Sequence, residues 1–158
     1  MKSYYPDAQE EIDPEYPEPL GKPVEVTIFV DASHADNQLD RIYITGLCVM
    51  LGTTPYHWFS KRQTCLETST FGSEFAAMRV AVEEAIAARQ TLLSIGVPVS
   101  GPVRLIGDNS GVVDNSSLPG SPLSKKHISI QYHKVCECIA AGVCKILHVN
   151  EETDLKTH

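Results

Sequence analysis

Three carboxylates stand out by the way the chain delivers them: Asp31, Glu74 and Asp108. Asp31 closes the run V-E-V-T-I-F-V-D over residues 24–31, and Asp108 closes V-R-L-I-G-D over residues 103–108. Glu74 stands just before Phe75, near the start of a long alanine-rich stretch. An apolar run that stops on an acid reads as a buried strand carrying that acid to the edge of a sheet. Singly, each has an ordinary explanation, since Asp opens turns and the helix dipole favours an acid in a first helical turn. Brought together, three carboxylates repel one another, and a hard divalent cation is what commonly offsets that charge. Two such ions about 4 Å apart, sharing one carboxylate, activate a water and stabilise the leaving oxygen of a phosphodiester. The acids therefore point to a metal-dependent phosphoryl-transfer site.

The surrounding elements must hold these acids in place. Residues 24–33 read as a first strand, 42–51 as a second and 56–60 as a third, with turn chemistry in Gly52-Thr53-Thr54-Pro55, so the three form an antiparallel meander. A helix over roughly residues 70–94 follows. A Ser/Thr cluster caps it, and Phe71, Phe75, Met78, Val82, Ile86 and Leu93 trace its buried stripe. Gly96-Val97-Pro98 ends it. A short strand at residues 103–106, a short helix at 110–115, a helix at 125–141 with Ile128, Tyr132, Val135 and Ile139 on its inner face, and a strand at 143–149 complete the order. The expected fold class is α/β, a mixed five-stranded sheet of three antiparallel strands and then parallel strands, flanked by helices. The helical crossover makes the fourth strand parallel to the first, so their ends bring Asp31 and Asp108 together.

A chain of 158 residues forms one domain with a real core. Residues 1–23 hold five of the ten prolines and no periodicity, and read as an acidic leader or linker, extended or disordered, ahead of a domain over 24–158. The net charge of −7 argues against a polyanion partner. Six of the acids precede Gly21, however, and the remainder carries 14 acids against 12 Lys plus Arg. No apolar run approaches the ~20 residues of a membrane span, and the N-terminus is not a signal peptide. An intracellular protein with no membrane partner is expected, its five cysteines reduced. Cys136, Cys138, Cys144 and His133 do not have the spacing of a common zinc site, and Trp58 reads as core.

The chain resembles the ribonuclease H domain of copia-type retrotransposon polyproteins over nearly its whole length. The resemblance rests on Gly21-Lys22-Pro23, Val30-Asp31-Ala32-Ser33-His34-Ala35 and Trp58-Phe59-Ser60-Lys61-Arg62-Gln63. It continues through Glu67-Thr68-Ser69-Thr70-Phe71-Gly72-Ser73-Glu74-Phe75, Gly107-Asp108-Asn109-Ser110, and Lys125-Lys126-His127-Ile128 with Tyr132-His133. Any one stretch is weak; their order and intervals together are specific. The resemblance implies a ribonuclease H-like fold and cleavage of the RNA strand of RNA–DNA hybrids, with two Mg²⁺ or Mn²⁺ ions held by four acids. Asp31, Glu74 and Asp108 match three of them. The fourth falls on Asp154 in Asp-Leu-Lys-Thr, where the family's preceding alanine is missing and the connection is shorter. The resemblance also implies reverse transcriptase and integrase portions of a parent polyprotein as partners, and a cytoplasmic, virus-like-particle or nuclear setting.

Lys61, Arg62 and Gln63, Ser33 beside Asp31, Asn109 beside Asp108, and Lys125 with Lys126 are candidate contacts to the hybrid backbone. Solvated turns and helix caps are the plain alternatives. Two other functional classes fit less of the chain. One is a non-catalytic module of the same fold that binds nucleic acid or scaffolds a polymerase. The other is a phospho-acceptor receiver, which alternates strand and helix from its start, whereas this chain opens on a meander.

Overall fold

A computed structural model of the protein describes residues 2–34, 43–63, 70–108 and 126–148. Strands β1 (Val26–His34), β2 (Tyr43–Leu51) and β3 (Thr54–Arg62) come first, then helix α1 (Thr70–Ser94), β4 (Val103–Gly107), helix α2 (Lys126–Ala140) and β5 (Cys144–His148). One sheet results, in the order β3-β2-β1-β4-β5. The pairs β1–β2 and β2–β3 are antiparallel, and β1–β4 and β4–β5 are parallel. The expected mixed sheet is therefore present, with β1 at its centre. The short helix expected at residues 110–115 lies outside the described residues.

Strand period and helix period meet on one face of this sheet. Val26, Ile28 and Val30 of β1, Leu47 and Val49 of β2, and Val103 and Leu105 of β4 are all buried. They pack with Phe75, Met78, Ala81, Val82 and Ala85 of α1 in a single core. Small alanines let the helix lie close to the strands, and this interior is the main source of stability. Toward its end the buried stripe of α1 runs through Ala85, Ala88 and Leu92, with Leu93 only half-buried, so Leu92 takes the place expected for Leu93. A 3.6-residue period drifts against a fixed spacing over 25 residues, which accounts for the change. Both helices end alike. Gly96 (φ 76°) bonds to the Leu93 carbonyl while Val97 reaches Leu92, and Gly142 (φ 76°) bonds to Ile139 while Val143 reaches Cys138. These are Schellman caps, whose left-handed residue favours glycine.

Two expectations are corrected. Trp58 is not core: it is 68% exposed on edge strand β3. It pairs with Cys48, which in turn pairs with Phe29, on the sheet face turned away from α1. The segment before Gly21 has no helix or strand but does not hang free of the domain. Glu10 forms a buried ion pair with Arg89 of α1, and Gln90 contacts both the Tyr16 hydroxyl and the Glu11 carbonyl. The Tyr5 hydroxyl is hydrogen-bonded to His133 Nδ1 on α2 at 2.6 Å. Val24 then exchanges backbone bonds with Pro98 and Ser100 as it leads into β1.

Cys136, Cys138 and Cys144 are buried and form no disulfides. Burial pushes the Cys144 thiol up to about 12, with Cys138 adding to the rise and Arg89 opposing it. Alkylation follows the thiolate, so at pH 8 the folded protein should modify half-buried Cys48 well before Cys144. Peptide mapping after a short iodoacetamide pulse checks this; equal labelling of the two would contradict it.

Candidate active site

Each of the three acids arrives on an element packed into the core. Asp31 lies within β1 just after Val30, where the strand leaves the buried interior, and its side chain faces solvent. Its partner across β2 is Gly46. Asp108 follows Gly107, the last residue of β4, and is exposed. A Cβ at Gly107 would stand 3.4 Å from Met78 Cε and 3.6 Å from Val30 Cγ1, ordinary contact distances. Glu74 lies in the opening part of α1, half-buried, with its Oε2 shielded from solvent.

The three acid-bearing elements border one cleft. Asp31, Glu74 and Asp108 line one small cleft with Val30, Ala32, Ala77, Met78 and Gly107. The cleft is about 20 Å³, room for one water-sized body. A wider depression of about 410 Å³ also borders Asp31 and Asp108, with Phe29, Cys48 and Ile106 in its lining. Asp31 and Asp108 line both, and Glu74 lines only the smaller one. Oxygen donors of this kind suit a small hard cation. Among the described residues, however, no three His, Cys, Asp or Glu side chains are grouped tightly enough to hold an ion between them. The acids share a cleft without forming a closed cage.

The remaining candidates are distributed unevenly. Ser33 is exposed two residues beyond Asp31, and Lys61 and Arg62 are exposed at the end of β3. Lys61 pairs in register with Thr45, and Thr45 with Ala32, which places this basic pair on the same end of the sheet as Asp31. Gln63 has a different task from the expected contact to a polyanion. Its Nε2 donates to Thr45 Oγ1 at 3.0 Å and to the Ser73 carbonyl at 2.8 Å, and its Oε1 is buried. Lys126 opens α2, and its side chain lies outside the described residues, as do Asn109, Lys125 and Asp154. His148 bonds through Nε2 to the Asp108 carbonyl at 2.8 Å, a link from β5 to the acid-bearing end of β4 that sequence spacing gave no reason to expect. No helix among the described residues is long and apolar enough to cross a membrane.

The sheet order, the crossover through α1 and the positions of the acid-bearing ends define a ribonuclease H fold. Solved structures agree. A ribonuclease H1 known as LC11, in complex with RNA/DNA hybrid, superposes with a TM-score of 0.60 at 15% identity, covering 82% of this chain and 88% of that one. The prototype foamy virus protease–reverse transcriptase gives 0.56 at 18% identity, covering 90% of this chain and 20% of that one. The ribonuclease H1 of the halophilic archaeon Halobacterium salinarum gives 0.56 at 14% identity, covering 84% and 90%. No family model matches the chain.

By sequence the chain is similar to the retrovirus-related Pol polyproteins from transposons RE1 and RE2 of Arabidopsis thaliana, each 25% identical over 135 residues, or 85% of this chain. The chain spans only 9% of the length of those relatives. The chain has a ribonuclease H fold, and its sequence is similar to one segment of those retrovirus-related Pol polyproteins.

Proposed function

We propose that this domain is a divalent-metal-dependent endonuclease that cleaves the RNA strand of RNA–DNA hybrids, within a copia-type Pol polyprotein that also carries reverse transcriptase and integrase portions. The observation that carries the reading is the delivery of Asp31, Glu74 and Asp108 to one cleft by three different elements. Asp31 would serve both ions, Glu74 and Asp108 would complete the first site, and Asp154 is proposed for the second. When bound, Mg²⁺ or Mn²⁺ lowers the pKa of a coordinated water and offsets charge on the leaving oxygen. The chain's own contribution is to bring the carboxylates to one cleft from β1, α1 and the end of β4. Lys61, Arg62 and Ser33 flank the cleft and would position the hybrid backbone without reading its sequence. Hydrolysis adds water across one phosphodiester and leaves a 5′-phosphate and a 3′-hydroxyl.

Incubation with hybrids labelled on either strand tests this. In Mg²⁺ or Mn²⁺ the RNA strand should shorten to fragments ending in 3′-hydroxyl while the DNA strand stays whole. Intact RNA in both metals would refute the proposal.

A second reading, an inert module of the same fold that only binds or scaffolds, is favoured by one observation: the described acids do not form a closed three-ligand group. Metal titration separates the two. An active site should raise thermal stability with Mn²⁺, by about 2.7 kcal/mol at a hundred times the dissociation constant, and an inert module should not respond.

A further inference from the structure

We propose that Gln63 is a positioning residue of the acid cleft, a side-chain clamp that fixes the opening turn of α1, and with it Glu74, against the strands that hold Asp31. Gln63 is the residue that follows β3, and its backbone N–H is anchored to the Tyr43 carbonyl at 2.8 Å. Both hydrogens of its side-chain amide are then used across a gap between elements. One goes to Thr45 Oγ1 of β2 at 3.0 Å, the other to the Ser73 carbonyl of α1 at 2.8 Å. Each acceptor is one step from an acid-bearing position. Thr45 pairs in register with Ala32, the neighbour of Asp31, and Ser73 immediately precedes Glu74. Thr45 is 3% exposed and Ser73 is 0% exposed, so these bonds lie inside the protein, where they are more directional than at a wet surface.

Packing alone does not fix this point. Phe75, Met78 and Val82 seat α1 on the sheet, but an apolar face tolerates small slides, and helix ends open most easily. The Gln63 bonds set the first turn at one distance from β2. Since β2 pairs with β1 residue by residue, the Gln63 amide ties the position of Glu74 to that of Asp31. The same geometry explains why the amide is unavailable to a nucleic acid: its Oε1 is buried and both its donors are engaged.

The consequence for ion binding rests on the metal-site reading given above, so the test has two arms. Gln63→Leu removes the donors at similar size, Thr45→Val removes the acceptor at similar shape, and Thr45→Ser retains it. In metal-free protein, hydrogen exchange at the amides of residues 74–78 should accelerate roughly five- to tenfold in Gln63→Leu and Thr45→Val. Thr45→Ser should stay near the parent, and the amides of β4 and β5 should not change in any variant. Unchanged exchange at residues 74–78 overturns the clamp. In the second arm, the Mn²⁺ concentration giving half-maximal thermal stabilisation should rise by a similar factor in the two bond-breaking variants and be restored in Thr45→Ser. Accelerated exchange with Mn²⁺ response equal to the parent's overturns the positioning role. A parent that does not respond to Mn²⁺ refutes the metal reading itself, while the exchange arm still decides the clamp.

Discussion

Replacing Arg89 by Met should destabilise the domain by about 3–5 kcal/mol, the largest loss expected from any single change outside the apolar core. Arg89 sits on α1 with its side chain 10% exposed, and Glu10 facing it is 15% exposed. The pair is bidentate, with Nε to Oε1 at 2.7 Å and Nη2 to Oε2 at 2.6 Å, and Nη1 also donates to the Gly101 carbonyl. Such a fork satisfies the guanidinium in a place water barely reaches. Removing one partner strands the other charge with little water around it. Removing both, in Arg89→Met with Glu10→Leu, should recover much of the loss, because a buried ion pair contributes little over a packed apolar replacement. Denaturant melts of the two single variants and the double variant measure this as a coupling energy. Strict additivity would show that the N-terminal segment is not held to α1 by this pair.

That pair also shows where the sequence was legible and where it was not. Asp31 and Asp108 were readable because each closes an apolar run, a local pattern that survives without knowledge of the fold. Glu74 was readable because it falls near the start of a strongly helical stretch, as the fifth residue of α1. The sheet's mixed character followed from the meander and the crossover. Glu10 and Arg89 are 79 residues apart, and proline and acid content said only that the first 20 residues lack regular structure. Nothing in that composition names the arginine they dock against. Trp58 was misplaced for a related reason: alternation identifies a strand, but the sequence does not say that β3 is an edge with its outer face uncovered by α1. Gln63 was misread because it neighbours two exposed cations, while its amide answers to Thr45 and Ser73, which only the folded register brings within reach. His148 against the Asp108 carbonyl belongs with it, a contact made by strand pairing rather than by spacing.

The second large effect concerns catalysis. Asp31 is exposed, its volume is nearly that of Asn, and the packing of β1 rests on Val26, Ile28 and Val30 rather than on it. Asp31→Asn should therefore leave the fold intact, with a melting temperature equal to or above the parent's, since one of three like charges round the cleft is removed. On the proposed two-ion reading its rate should fall by on the order of 10³, because a carboxylate shared by two ions would carry several kcal/mol of transition-state stabilisation. Glu74→Gln should behave in the same way.

The most direct measurement is cleavage of the RNA strand of a labelled RNA–DNA hybrid in Mn²⁺ by the parent and Asp31→Asn side by side, with folding of both verified by melting. A parent that cleaves and a folded Asp31→Asn slower by about three orders of magnitude is the predicted result. A parent no faster than Asp31→Asn would contradict the assignment of this cleft as the catalytic centre.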